Sequence, residues 1–256
     1  MILDEIVKTK RREVAERKEA VPLHSLAKTT EKSPSARDFK AALGGCCAIV
    51  AEVKRCSPSR GPLRTDFDPV QIAWEYEHYG ASAISVLTDE NFFGGSNEAL
   101  AAVKGAVALP VLRKEFIIDP YQIYEARAIG ADAILLIAAI LTENQLREYR
   151  DLAASLGMAS LVEIHDREEL EKALATGAEI IGINNRDLKT FETDIRISLE
   201  LSPLIPEGRI AVSESGIRSR ADIEMLLTAG IQAFLIGETL IAAPEIGMKL
   251  EELLGK

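Results

Sequence analysis

The sequence predicts an α/β protein: a single (β/α)8 barrel of the TIM-barrel class, preceded by an N-terminal helical extension. Three observations carry that expectation. Four segments resemble one another, beginning at Gly80, Gly130, Gly177 and Gly230; each is a helix-ending glycine followed two to three residues later by an apolar run. Their glycines are 50, 47 and 53 residues apart, too far for one βα unit and right for two. Four further apolar runs, at Cys46–Lys54, Leu109–Phe116, Met158–Ile164 and Arg209–Ser213, bring the strand count to eight, with helical stretches in the gaps. A doubly wound open sheet is the alternative, but the alternate-unit repeat favours closure. The length of 256 residues and the 47% hydrophobic content suit one such barrel with a sizeable core. No linker interrupts residues 46–256, so a single domain is expected, with residues 1–45 as its extension.

The elements follow in order. Residues 2–20 read as a helix with apolar Leu3, Ile6, Val7 and Val14. Asp4–Glu19 holds six Lys or Arg against five Asp or Glu, and Arg12/Glu16 and Glu13/Arg17 stand at i,i+4, as on a solvated helix face. Residues 21–35, with Pro22 and Pro34, read as a polar connection, and Ala36–Leu43 as a short helix ended by Gly44-Gly45. Beyond the first strand, Asp68 caps a helix over Pro69–Tyr79 with proline at its first position. Further helices are expected at Asn97–Val107, Pro120–Ile129, Glu143–Leu156, Arg167–Thr176, Asp194–Leu201, Arg220–Ala229 and Pro244–Leu254, with Thr142 and Asp166 as caps. Strands apolar on both faces and alternating with helices indicate a parallel sheet.

Composition excludes several functions. A net charge of −10 argues against a general nucleic-acid or anionic-membrane binder. No apolar run has membrane-spanning length, and the N-terminus MILDEIVKTKRRE lacks the apolar core and cleavage site of a secretory signal. Cys46, Cys47 and Cys56 form no CxxC and are odd in number, as reduced thiols would be. His24, His78 and His165 lack metal-ligand spacing, so no metal site is expected and each is read as structural or solvated. Cys56 lacks an evident base to make it a nucleophile. A soluble, cytoplasmic protein is the expectation.

The polar residues of the strands point to chemistry. Strand alternation puts Glu52 and Lys54 on one face of an apolar strand, where burying charge is costly unless it is paired or used. Lys114, Glu163, Asn184, the run Ser213-Glu-Ser-Gly216 and the pair Gly237-Glu238 likewise end their strands. All lie toward the C-terminal ends, the face on which barrel active sites are built. Any one alone is as well explained as a surface charge. Six strands contributing together indicate an enzyme site, with Lys54, Lys114, Glu163, Asn184 and Ser215 pointing inward.

The last two loops indicate what is bound. In barrels a phosphate often sits between the loops after strands seven and eight, on backbone amides. Gly216 and Gly237 fall there, and Arg186 can clamp the same anion. Glu238 can help only through its amide, with its carboxylate turned away. Phe92-Phe93 and Phe116 offer apolar aromatic surface at the mouth, since Asn91–Ser96 reads as a loop. The expected ligand carries a phosphate at one end and a flat apolar group at the other.

At these residues the sequence closely resembles the indole-3-glycerol phosphate synthases. The similar motifs are Ala51-Glu-Val-Lys-Arg-Cys-Ser-Pro-Ser59, Asn91-Phe-Phe-Gly-Gly-Ser96, Leu112-Arg-Lys-Glu-Phe-Ile117, Leu161-Val-Glu-Ile-His165, Ile183-Asn-Asn-Arg-Asp-Leu188 and Ser213-Glu-Ser-Gly-Ile217. They recur in order from 49 to 239, and the leader helix fits the family's extension; only the stretch around Ile241 is less typical. The resemblance implies ring closure, decarboxylation and dehydration of 1-(2-carboxyphenylamino)-1-deoxyribulose 5-phosphate in tryptophan biosynthesis, without metal or organic cofactor. It makes Lys114 the leading general acid, as a lysine that a dry, cationic pocket tunes toward neutral pH. Lys54 grips the substrate's carboxylate or phosphate, and Glu163 acts in the dehydration, as acid or base. Glu52 and Asn184 orient the lysines and the substrate, with Ser215 beside them. Arg186, Ser59, Gly216, Gly237 and Glu238 hold the phosphate beside Glu214, while Phe92, Phe116 and Leu135 or Leu188 line the aromatic pocket.

Two rival readings remain. A sugar-phosphate isomerase on the same barrel would call for a carboxylate or cysteine pair more than for paired lysines. A non-catalytic phosphate-binding barrel would not need Lys114 and Glu163 both in the mouth. The expected partner is a phosphorylated small molecule, with no nucleic acid and no membrane. The chain is taken as a monomer, and association with other tryptophan-pathway enzymes is left open.

Overall fold

A computed structural model describes residues 2–58, 61–187 and 190–256. Eight strands, β1 Ala48–Val53, β2 Ala83–Leu87, β3 Val111–Lys114, β4 Ala133–Ile137, β5 Ala159–Ile164, β6 Ile180–Asn184, β7 Ile210–Glu214 and β8 Ala233–Ile236, form a closed barrel. Each pairs in parallel with its sequence neighbours, and β1 closes the ring against β8, with Val50 opposite Leu235. The strands are rich in Ile, Val, Leu and Ala because both of their faces are covered. One face packs on the helices, through Ile49, Ile84, Ile134, Ile181 and Phe234 among others. The other fills the barrel with Val50, Leu112, Leu135, Leu161, Val212 and Leu235, while Phe39 and Leu43 from the leader join the same cluster.

The helices are α1 Ile2–Ala20, α2 Leu23–Thr30, α3 Phe39–Ala42, α4 Pro69–His78, α5 Glu90–Phe93, α6 Asn97–Ala106, α7 Pro120–Ala128, α8 Glu143–Ser155, α9 Arg167–Ala175, α10 Arg196–Leu201, α11 Arg220–Thr228, α12 Glu238–Ile241 and α13 Ile246–Leu254. Asp68, Thr142 and Asp166 cap α4, α8 and α9 as expected, and Thr142 completes a capping box with Gln145. Three stretches depart from the sequence reading. The polar connection after Ala20 contains α2, begun by Pro22, whose fixed φ suits a helix start. The loop before Gly94 contains α5, because Asp89 accepts the backbone N–H groups of Phe92 and Phe93 and closes a turn. The stretch after β8, where no helix was expected, holds the short α12, while α13 falls within the expected Pro244–Leu254. No helix among the described residues is long and apolar enough to cross a membrane.

The leader is bound at both ends of the barrel. Near the C-terminal rim, the Lys10 ammonium is fully buried among Glu13, Asp89 and Glu115 at 2.7, 2.9 and 3.0 Å. Those carboxylates outweigh the burial that would discharge it and raise its pKa. At the other end, Asp132 precedes β4 and accepts from the Arg37 backbone N–H at 2.7 Å, from Lys104 Nζ at 2.5 Å and from the Val111 N–H at 2.8 Å. The i,i+4 pairs Arg12/Glu16 and Glu13/Arg17 both form, at 3.8 Å. The face carrying Lys10, Glu13 and Arg17 is nevertheless turned onto the barrel, with Arg17 also reaching Glu125 at 3.1 Å. It is not simply a solvated face.

Candidate active site

A cavity of about 820 Å³ opens at the C-terminal ends of the strands. Strand alternation fixes what enters it, because every second residue above the apolar barrel layer points to the axis. Above Val50 stand Glu52 and Lys54; above Leu112, Lys114; above Leu161, Glu163; above Gly182, Asn184; and above Val212, Glu214. All six line the cavity. Lys54 Nζ lies 2.7 Å from Glu52 Oε1. Lys114 Nζ lies 3.0 Å from Glu163 Oε2 and 2.6 Å from Glu214 Oε2. Two missing side chains make room for this arrangement. A Cβ on Gly182 would collide with Glu214 Oε1, and one on Gly237 with Glu52 Oε1.

The electrostatics correct one expectation. The pocket around Lys114 is anionic rather than cationic: burial opposes its charge, but Glu163, Glu214 and Glu52 outweigh that and hold the pKa far above the ordinary lysine range. It is not tuned toward neutrality. Glu163 stays ionised, because Lys114, His165 and Asn184 overcome its burial. Glu52 is likewise held down against burial, by Lys54 and then Lys114. Glu214 is pushed up to about 7 by burial and by the charges of Glu163 and Glu52. Two neighbouring carboxyls with opposed shifts, each on the same ammonium, are equipped to divide acid and base work.

Ser215 reaches the cavity by a different route from the one expected. The inward residue of β7 is Glu214, and Ser213 faces outward to Asn185 and Ser198. Ser215 returns to the mouth because it and Gly216 both adopt left-handed backbone, with φ of 66° and 79°. At the same end lie Ile217, Arg218, Gly237, Glu238 and Thr239. Thr239 Oγ1 donates to the Ile217 carbonyl at 2.5 Å and ties the two loops together. Arg186 enters beside them, but the Glu238 carboxylate does not point away as expected. It accepts from Arg186 at 3.0 Å, because an arginine in a half-buried rim recruits the nearest carboxylate.

The apolar end contains Phe116, Leu135 and Ile137. Phe92 is not among the lining residues; Phe93 is. Consecutive residues of α5 differ by about 100° around the helix, so the turn that Asp89 caps sends Phe93 inward and Phe92 elsewhere. The rings of Phe93 and Phe116 are 5.9 Å apart at 34°. Ile2, Leu3 and Ile6 of α1 complete this wall, a contribution that α1's spacing signalled only as an apolar stripe without a partner. Ser59 and Leu188 lie outside the described residues. Cys56 is pushed up by burial and is not a ready thiolate. Among the described residues no group of three or more His, Cys, Asp or Glu side chains is arranged to hold a metal ion.

Known proteins match this chain along nearly its whole length. The family model described as Indole-3-glycerol phosphate synthase matches residues 3–253. The chain belongs to the indole-3-glycerol phosphate synthase family. Among relatives of that name, one from Alkaliphilus metalliredigens is 52% identical over 99% of this chain and 98% of its own. Another, from Carboxydothermus hydrogenoformans, is 49% identical over 99% of this chain and 100% of its own. Solved structures extend the likeness of fold alone. A 3-hexulose-6-phosphate synthase superposes with a TM-score of 0.65 at 15% identity, over 81% of this chain and 98% of its own. A mutant tryptophan synthase alpha-subunit from Pyrococcus furiosus superposes with a TM-score of 0.64 at 14% identity, over 83% and 99%.

Proposed function

We propose a division of labour within the polar ring for the family's reaction. The enzyme is a carboxy-lyase of tryptophan biosynthesis, converting 1-(2-carboxyphenylamino)-1-deoxyribulose 5-phosphate to indole-3-glycerol phosphate. The ring carbon that bears the carboxylate attacks the ketone carbon, and the ketone oxygen takes a proton as its C=O electrons move onto it. The carboxylate then leaves as CO2, and the electron pair of the broken C–C bond restores the aromatic ring. A second protonation expels the hydroxyl as water, while a proton leaves the methylene beside nitrogen. Two protons enter and one departs, so each turnover consumes one proton.

Lys114 gives the first proton. The observation that carries this role is its ammonium, held between Glu163 and Glu214 at the floor of the cavity. No tuning toward neutrality is needed, because the acceptor is a developing alkoxide, a stronger base than a lysine amine. Glu163, held ionised, takes the methylene proton in the dehydration. Glu214, titrating about 7, restores the proton to Lys114. Lys54 grips the substrate carboxylate while Glu52 and Asn184 orient the lysines and the sugar hydroxyls beside Ser215. Arg186 with the backbone of Gly216, Gly237 and Glu238 holds the phosphate, and binding requires Arg186 to share itself between that anion and Glu238. Phe93, Phe116 and Leu135 receive the carboxyphenyl ring.

The test adds the substrate to folded enzyme and follows indole fluorescence. Wild-type protein should produce the rise, and its absence would overturn the assignment. Lys114→Ala should lower kcat by at least about 10³-fold, as expected for loss of a general acid that also stabilises the oxyanion, while substrate binding stays measurable by calorimetry. Unchanged turnover in that variant would remove Lys114 from the mechanism. We further take the working form to be a cytoplasmic monomer, on the acidic composition, whose net charge of −10 disfavours self-association; a monomeric sedimentation coefficient is the expected result.

A further inference from the structure

One titratable group at the ring has no part in that scheme. His165 follows β5 by one residue, two positions after Glu163. Its Nδ1 lies 3.0 Å from Glu169 Oε2 on α9, and the same oxygen accepts the His165 backbone N–H at 2.8 Å. The imidazole is therefore fixed in orientation by a single carboxylate. Its Nε2 is buried, has no hydrogen-bond partner, and lies 3.6 Å from Glu163 Oε1. The other oxygen of Glu163 is the one that meets Lys114. A histidine serving packing alone would bond both nitrogens or leave one in water. This one braces one nitrogen and aims the other at a carboxylate of the site.

The charge count points the same way. Once Glu214 is ionised, above a pH of about 7, Glu52, Glu163 and Glu214 face the lysines Lys54 and Lys114, leaving one carboxylate in excess. The groups facing His165 are Glu163 from β5, Glu169 from α9 and Glu214 from β7, with the Lys114 ammonium beyond Glu163. Burial alone would discharge the imidazole, but these three carboxylates raise its pKa above the ordinary histidine range. In its protonated form His165 is the ring's third cation.

We propose that His165 is a positioning residue for the reaction: its imidazolium, braced by Glu169, holds Glu163 from behind so that the carboxylate presents its other oxygen to Lys114 and the substrate. This rests on the role given to Glu163 above. His165 touches no cavity surface itself; its effect passes through Glu163. When His165 loses its proton, Glu163 loses the charge that holds it in place from behind, so kcat should fall on the alkaline side of its profile.

Two measurements test it, one independent of turnover. In 15N-histidine NMR of the unliganded protein, His165 should titrate above the pH of an ordinary free imidazole, and its titration should move to lower pH in both Glu163→Gln and Glu169→Gln. A His165 titration that Glu163→Gln leaves unmoved overturns the proposal whether or not the enzyme is active. In steady-state kinetics, His165→Asn should lower kcat about tenfold, within the range for a supporting partner of a reactive group, with KM changed less than about twofold, and should abolish the alkaline limb. Glu169→Gln, on the partly exposed start of α9, should shift that limb to lower pH while the fold is retained. A loss of kcat uniform across pH, with the limb unmoved in both variants, would mark His165 as structural and overturn the proposal. Failure of the substrate assignment itself would show instead as inactive wild-type enzyme and would leave the NMR outcome to decide.

Discussion

Glu214 is buried beside Glu163 and Glu52, and these outweigh the Lys114 ammonium it shares with Glu163, so it holds its proton to a pH of about 7. Between the ordinary carboxylate range and that value, the folded protein keeps a proton that the unfolded chain has released. Stability therefore falls as pH rises through this window. Glu214→Gln cannot release a proton, so its stability relative to wild type should improve from pH 5 to pH 8, by at most about 3 kcal/mol. Urea midpoints of both proteins at the two pH values check this, and an equal difference at both would refute it. Activity should be lost in the same variant. At this scale the sequence was most informative where alternation acts alone, as for Glu52, Lys54, Lys114, Glu163 and Asn184. It was least so where a local turn re-aims a side chain. A one-turn helix capped by Asp89 exchanges Phe93 for Phe92, and the left-handed Ser215 restores a residue that alternation would turn outward. Charge balance was illegible for a further reason: the sign of the field at Lys114 depends on which three acids converge there from different strands.

The leader helix α1 is the element whose sequence gives the least sense of its position. Its i,i+4 pairs are real, and they describe a helix surface, but no local signal tells that Lys10 is buried against β3 and the loop after β2. That contact unites acids about 80 and 100 residues away in the chain, Asp89 and Glu115. Lys10→Met should destabilise the protein by about 3–5 kcal/mol, because it removes the cation and leaves the acids buried. It should also raise KM, since Ile2, Leu3 and Ile6 on the same helix line the cavity. Chemical denaturation and steady-state kinetics read the two effects. Loss of stability without a change in KM would show that the helix merely covers the barrel. The same element view explains why α2 was hidden: a short helix with no fully buried residue carries little apolar periodicity to detect.

Across the whole molecule, the barrel assigns stability and chemistry to opposite ends. Asp132, at the N-terminal end, joins the leader, α6 and β3 through four hydrogen bonds and is remote from the cavity. Asp132→Asn should cost ~3 kcal/mol of stability through the broken buried pair, with kcat per folded molecule unchanged; urea unfolding and active-site-normalised rates measure both. The architecture was the most legible level of all, because four glycines about fifty residues apart mark every second βα unit and need no tertiary information. One property of that architecture bears on the cell's handling of the nascent chain. β1 finds one neighbour in β2 soon after both emerge, but its other neighbour, β8, lies at Ala233–Ile236. Until translation has passed that point, both margins of the growing sheet expose unpaired amides and carbonyls, the template on which chains associate with one another. A ribosome stalled late in this message would release a sheet with two sticky margins, and chaperone demand should peak just before the last strand clears the exit tunnel.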